Sequence, residues 1–215
     1  SSVFSKTRTI LQMIKFEHSV FALPFAYMGA FLAAKGMPGL SEIFWITLAM
    51  VGARSFAMSV NRLIDREIDG RNPRTKNRAL PRGILRESEV LLFILVSFSV
   101  FILSIWQLAP LTRKLWPLVV IPFIIYPYTK RFTWSSHFLL GLCLGLAPVG
   151  AWVAIRDGVA LLPFLLGGAV LFWVAGFDIV YACQDLEVDK GQKLFSMPAN
   201  FGIHKALRVT AFLHV

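Results

Sequence analysis

Six apolar runs in a chain of 215 residues leave few folds open. They fall at about 19–34, 42–60, 90–108, 115–128, 138–155 and 159–183, and a seventh begins at 204–215. Most approach the ~17–25 residues with which a helix crosses a bilayer core about 30 Å thick. Inside that core each backbone N–H and C=O must be satisfied within its own segment, so the runs are predicted to be α-helices. Charged residues are 16% of the chain and apolar ones 56%, whereas soluble domains are about a quarter charged. The expected fold class is all-α: a polytopic membrane helical bundle, one transmembrane domain over 1–215.

The net charge of +10 admits two readings, a nucleic-acid partner or the bias that membrane proteins acquire by keeping Lys and Arg in the cytoplasm. Alternation of the spans decides for the second, with no nucleic-acid partner. Residues 1–18, an interfacial lead-in with Lys6, Arg8, Lys15, Glu17 and His18, share one side with the loops at 61–89, 129–136 and 184–205. The other side receives only Lys35, Arg113, Lys114 and Arg156, and of the acids only Glu42 and Asp157. Arg54 lies inside a span, where a charge facing lipid is expensive. The crowded side is therefore expected to be cytoplasmic, in a multi-pass protein of the inner or plasma membrane. No cleavable signal peptide is evident, and Cys143 and Cys183 have no C-x-x-C spacing and read as packed thiols. Gly141, Gly145 and Gly150 are predicted to permit close helix approach, and Pro117, Pro122 and Pro127 to be tolerated where neighbours re-satisfy the backbone.

Two acidic stretches carry the chemistry. In SVNRLIDREIDGRNPRTKNRALPRG (59–83), Asn61, Asp65 and Asp69 are four apart and share a face of one helix. Carboxylates and an amide oxygen are hard donors suited to Mg²⁺, which binds through one or two carboxylates plus substrate phosphates. A basic run follows at Arg71, Arg74, Lys76, Arg78, Arg82 and Arg86. Taken alone, such a stretch is as readily a solvated cytoplasmic loop. The second stretch, FDIVYACQDLEVDKG, spaces Asp178, Asp185 and Asp189 by seven and four, again at the end of an apolar run. YPYTKR adds Tyr126, Lys130 and Arg131 on the same side, where snorkelling cations and belt tyrosines are the plain alternative. Arg54, two turns before Asn61, suits a phosphate or carboxylate contact as well as a structural hydrogen bond.

Metal and cations together suit a diphosphate. If its organic part is an allylic chain, departure of the diphosphate leaves a resonance-stabilised cation that must be kept from water, and an apolar bundle provides that shelter. An electron-rich ring would then attack and lose a proton.

The N-x-x-x-D-x-x-x-D pattern at Asn61, Asp65 and Asp69 followed by TKNRALPRG resembles the first signature of the UbiA superfamily of intramembrane prenyltransferases. D-x-x-Y-A-x-x-D-x-x-x-D at Asp178, Tyr181, Asp185 and Asp189, followed by SMPANFG, resembles the second. With YPYTKR the likeness runs from about 15 to 204. It implies nine membrane helices around a central cavity opening to the cytoplasmic side, of which about seven are begun here and the C-terminal ones are absent. It implies Asp65, Asp69, Asp185 and Asp189, with Asn61, on Mg²⁺, and Asn61 and Lys130 near the diphosphate. Tyr126 or Tyr181 would stand close to the reacting carbon. Arg54, Arg74 and Arg78, with Arg131 and Asp178, are substrate contacts by looser analogy. Arg62 departs from the family pattern, in which many relatives carry an acid. The segments NRALPRG and YACQD look most like enzymes transferring a polyprenyl group from its diphosphate to an aromatic acid such as 4-hydroxybenzoate in quinone biosynthesis, or to a naphthoate on a menaquinone route.

Two other classes are weighed against this. An ion-coupled transporter would place acids near the midplane, whereas these lie at helix ends. A CDP-alcohol phosphotransferase would need its aspartates in one short motif with Ala-Arg, which D-x-x-x-D-G-R-N lacks.

Overall fold

The computed structural model describes residues 3–215, with 17–21 described by backbone alone. The expected interfacial side chains of Glu17 and His18, and the opening of the run at 19–34, thus lie outside the described side chains. Eleven α-helices follow in order: α1 (Val3–Met13), α2 (Glu17–Ala34), α3 (Leu40–Ile64), α4 (Arg66–Arg71), α5 (Glu87–Trp106), α6 (Thr112–Thr129), α7 (Ser136–Arg156), α8 (Leu161–Ala182), α9 (Leu186–Gly191), α10 (Met197–Phe201) and α11 (Ile203–Leu213). A 3₁₀ turn, Cys183–Asp185, joins α8 to α9, and no strand occurs among the described residues.

The apolar runs became helices as their length required. α3, α5, α7 and the stretch Leu161–Gly191 are each long and apolar enough to cross a membrane. α2 and α6 have 18 residues, about 27 Å at 1.5 Å per residue, close to a bilayer core. Their packing puts them in the same bundle: α2 lies against α3 and α7, and α6 against α3, α5 and α7. Ala53, Phe56, Phe101, Ile105 and Val120 close the seam between α3, α5 and α6. Ala26, Ala30, Ile46, Ala151 and Ala154 close that between α2, α3 and α7. Leu92, Leu95, Leu103, Leu161 and Leu165 point outward, more than half exposed. Lipid tails are as apolar as leucine, so these positions cost nothing in a bilayer.

A tight seam joins α7 to α8. A Cβ at Gly141 would stand 2.3 Å from the Leu171 carbonyl oxygen, and one at Gly145 would stand 2.5 Å from that of Gly167. Only glycine admits backbones this close. Gly150 has open space at its Cβ position and lines the interior cavity, so it does not serve the close approach expected of it. Gly145→Val is expected to lower the Tm in detergent, because overpacking a rigid seam costs about 1–3 kcal/mol; an unchanged Tm would show that the helices can separate without penalty.

The acidic motifs do not lie on uninterrupted helices. α3 ends at Ile64 and α4 starts at Arg66, with Asp65 between them at φ −91°, ψ 3°. The second motif breaks in the same manner: Asp185, at φ −102°, ψ 9°, closes the 3₁₀ turn and leads into α9. Bonds from Asp65 N–H to Asn61 O (2.9 Å) and from Asp69 N–H to Asp65 O (2.8 Å) carry the ladder through the first break. Two segments that run the same way through the bundle thus end in matching elbows, each with an aspartate at the bend.

Candidate active site

The elbows meet at one end of the bundle. Asp65 is 2% exposed and is engaged by Lys130 Nζ and, at 3.2 Å, by Arg131 Nη1. Arg131 also donates to the carbonyls of Pro127 (2.8 Å) and Ile64 (3.1 Å), so it fastens the end of α6 to the end of α3. Burial pushes the Asp65 carboxyl above the usual carboxylate range, while Lys130 and then Arg131 pull it back. Asp69, also buried, accepts from Arg78 Nη1 at 2.7 Å.

Across the site, Asp185 accepts from Arg74 Nε (3.0 Å) and Nη2 (2.5 Å), a bidentate pair. That pairing raises the pKa of Arg74. Asn72 bridges the two stretches: its Nδ2 donates to Asp185 Oδ1 at 3.1 Å and its Oδ1 accepts the Arg74 N–H at 2.8 Å. Gln192 Nε2 adds a bond to the Ile68 carbonyl at 3.3 Å. The basic run therefore divides. Arg74 and Arg78 fold back onto the acids, whereas Arg71, Lys76, Arg82 and Arg86 stay exposed.

Asp65, Lys130, Arg74, Asp178, Asp185 and Asp189 line a polar compartment of about 160 Å³. Beneath it lies an apolar cavity of about 970 Å³. Tyr126, Asp178 and Tyr181 line both spaces and mark their junction. Arg54 and Asn61 line the apolar cavity, and Arg54 Nε is buried without a hydrogen-bond partner among the described residues.

The residues read as one set from sequence are thus dealt out to different places. Asp65, Asp185, Asp189 and Lys130 converge as expected. Asn61 faces the apolar space, Asp69 and Arg78 pair with each other away from the compartment wall, and Arg131 clamps two helix ends. Arg62, 8% exposed, donates through Nε to the Met13 carbonyl at 3.2 Å and so ties α3 to the end of α1. Among the described residues no three acids, histidines or cysteines cluster as a ready-made metal cage. The donor set fits Mg²⁺ nonetheless, because that ion takes one or two carboxylates and fills its sphere with water and phosphate oxygens. Sequence reading missed His137 and Asn72. Asn72 sits in the turn directly after the first motif, a position that called for inspection, whereas nothing local to His137 announces that it meets Asp178 at 2.7 Å.

Comparison with known proteins places this arrangement. The UbiA prenyltransferase family matches residues 22–215. A 4-hydroxybenzoate octaprenyltransferase of Vibrio atlanticus is 33% identical over 180 residues, covering 84% of this chain and 63% of that protein. The chain thus spans a little under two thirds of the length of that relative. The apo structure of a UbiA homolog from Aeropyrum pernix K1 superposes with a TM-score of 0.86 at 33% identity, over 92% of this chain and 74% of its own. A UbiA homolog from Archaeoglobus fulgidus bound to DMAPP and Mg²⁺ shares the fold, with a TM-score of 0.77 at 21% identity over 95% and 73%. With elbows, cavity and sequence in agreement, the chain belongs to the UbiA prenyltransferase family.

Proposed function

We propose that the protein transfers a polyprenyl group from its diphosphate to an aromatic acid of the 4-hydroxybenzoate kind, in a Mg²⁺-dependent reaction serving quinone biosynthesis. The observation that carries this reading is the junction: a compartment of carboxylates and cations opens through Tyr126, Asp178 and Tyr181 onto a large apolar cavity. A diphosphate fits the first space and an isoprenoid chain the second. The name of the Vibrio relative supports the acceptor, and the ligands of the Archaeoglobus homolog support the donor and the metal.

Mg²⁺, held by Asp65, Asp185 and Asp189 together with diphosphate oxygens, would neutralise charge on the leaving group. Lys130 and Arg74, already in the polar compartment, exchange part of their bonding from Asp65 and Asp185 to the diphosphate. Asp69 and Arg78 hold the first elbow from behind. Tyr126 and Tyr181 stand at the junction, where the π face of either ring can flank an allylic cation. Arg54, whose buried Nε has no hydrogen-bond partner among the described residues, receives the acceptor carboxylate, with Asn61 two turns further along the same helix face. The positive bias of the loops supports a cytoplasmic position for this end.

The test is to incubate membranes containing the full-length protein with labelled polyprenyl diphosphate and a panel of aromatic acids, with and without Mg²⁺. A labelled 4-hydroxybenzoate adduct that disappears on chelation is expected. Transfer to a naphthoate instead would move the acceptor to the menaquinone type, and no transfer to any acid would overturn the reading.

A further inference from the structure

Of the five acids at the site, Asp65, Asp69 and Asp185 are each paired with Lys or Arg. Asp178 and Asp189 form no ion pair with Lys or Arg among the described residues, and of these two only Asp178 also lines the apolar cavity. Its contact is instead with His137, which is 3% exposed: Nδ1 lies 2.7 Å from Asp178 Oδ2. The opposite ring nitrogen, Nε2, accepts the Met197 backbone N–H at 3.1 Å. A nitrogen that accepts carries no proton, so the ring proton sits on Nδ1 and donates to Asp178. The imidazole is therefore neutral. It orients the carboxylate without neutralising it, and Asp178 keeps one oxygen without a partner among the described residues and 30% of its side chain open to the junction.

We propose that Asp178, positioned by His137, is the base that takes the proton from the acceptor ring. This rests on the functional reading above. The carbon–oxygen bond to diphosphate breaks and its electron pair leaves with the diphosphate. An electron pair of the ring forms the new carbon–carbon bond to the allylic carbon, leaving that ring carbon tetrahedral, with its hydrogen and a positive charge on the ring. The C–H electrons return to the ring and the proton passes to the free oxygen of Asp178, which later gives it to water through the polar compartment. A carboxylate bound to arginine would be a poor acceptor for this proton. Asp178 is the acid that no Lys or Arg among the described residues engages and that also lines the apolar cavity, where the ring would lie.

The experiment uses the full-length protein and 4-hydroxybenzoate deuterated at the ring positions next to the hydroxyl-bearing carbon. In the wild type, proton loss is expected to be fast and kcat insensitive to the label. Asp178→Asn is expected to lower kcat by about 10²–10⁴ and to make proton loss limiting, so that a primary isotope effect emerges. A Tm in detergent close to that of the wild type reports an intact fold. His137→Leu is expected to show the same emergent isotope effect with a smaller fall. His137→Asn, whose amide nitrogen overlies Nδ1, recovers most of the rate. An Asp178→Asn protein with wild-type kcat and no isotope effect would overturn the inference, assigning the proton to the departing diphosphate. Parallel loss of rate and diphosphate affinity without an isotope effect, in both Asp178→Asn and His137→Leu, would overturn it in favour of a structural role. No transfer by the wild type overturns the functional reading itself, whereas transfer by the wild type with unaltered variants overturns this inference alone.

Discussion

Asp185→Asn is expected to reduce kcat/KM for prenyl transfer by about 10³-fold while the protein stays folded, because it removes one preorganised charge from the leaving-group site. Asp185 is the cleaner of the two elbow aspartates to test. Its partner Arg74 is 43% exposed and returns to water when the carboxylate is lost. Asp65→Asn is expected to lower activity to the same degree but to carry a second cost. Asp65 is 2% exposed, and its loss leaves Lys130 and Arg131 facing each other without their shared anion. Breaking a buried pair from one side costs about 3–5 kcal/mol, and the partial exposure of both cations puts this case at the low end. Activity with varied Mg²⁺, alongside thermal unfolding in detergent, checks both. Full turnover in either variant would remove the elbows from the reaction.

Lys130→Ala and Tyr126→Leu are expected to fail in different ways, although the two residues are one turn apart at the end of α6. Lys130 lies in the polar compartment and now bonds Asp65, so its loss raises the KM for prenyl diphosphate and slows ionisation. Tyr126 stands at the junction, its ring one turn deeper. A desolvated cation–π contact is worth about 2 kcal/mol, so Tyr126→Leu lowers kcat by roughly 30-fold with little change in diphosphate affinity. Steady-state kinetics against varied prenyl diphosphate separate the two. Unchanged parameters in both would reduce Lys130 to an interfacial cation and Tyr126 to a packing residue.

The ion pairs explain how a site this acidic is stable before substrate arrives. Lys130, Arg131, Arg78 and Arg74 hold the carboxylates in place. A diphosphate brings negative charge for the cations and, with a metal, positive charge for the acids. Binding is then an exchange of partners, and the cations that stabilise the free protein are the ones that receive the leaving group.

Much of the architecture was legible in the residues. Apolar runs of bilayer length admit only helices: α3 and α7 enclose the runs at 42–60 and 138–155, and α5 and α8 match those at 90–108 and 159–183 to within three residues at each end. Alternation of sides placed both acidic motifs and Lys130 at one end, as the Lys130–Asp65 and Arg74–Asp185 pairs show. These features were readable because each depends on local composition and on a topology that a membrane leaves almost no freedom to vary. Which acid faces which cation was not readable. Helical spacing put Asn61, Asp65 and Asp69 on one face, but a break at Asp65 and the fold-back of the 72–83 loop sent the three to different neighbours. His137 and Asp178 are 41 residues apart, and only the tight α7–α8 seam brings them to 2.7 Å. Periodicity reports the direction in which a side chain leaves its own helix, whereas its partner is decided by how closely two helices approach and where each one bends.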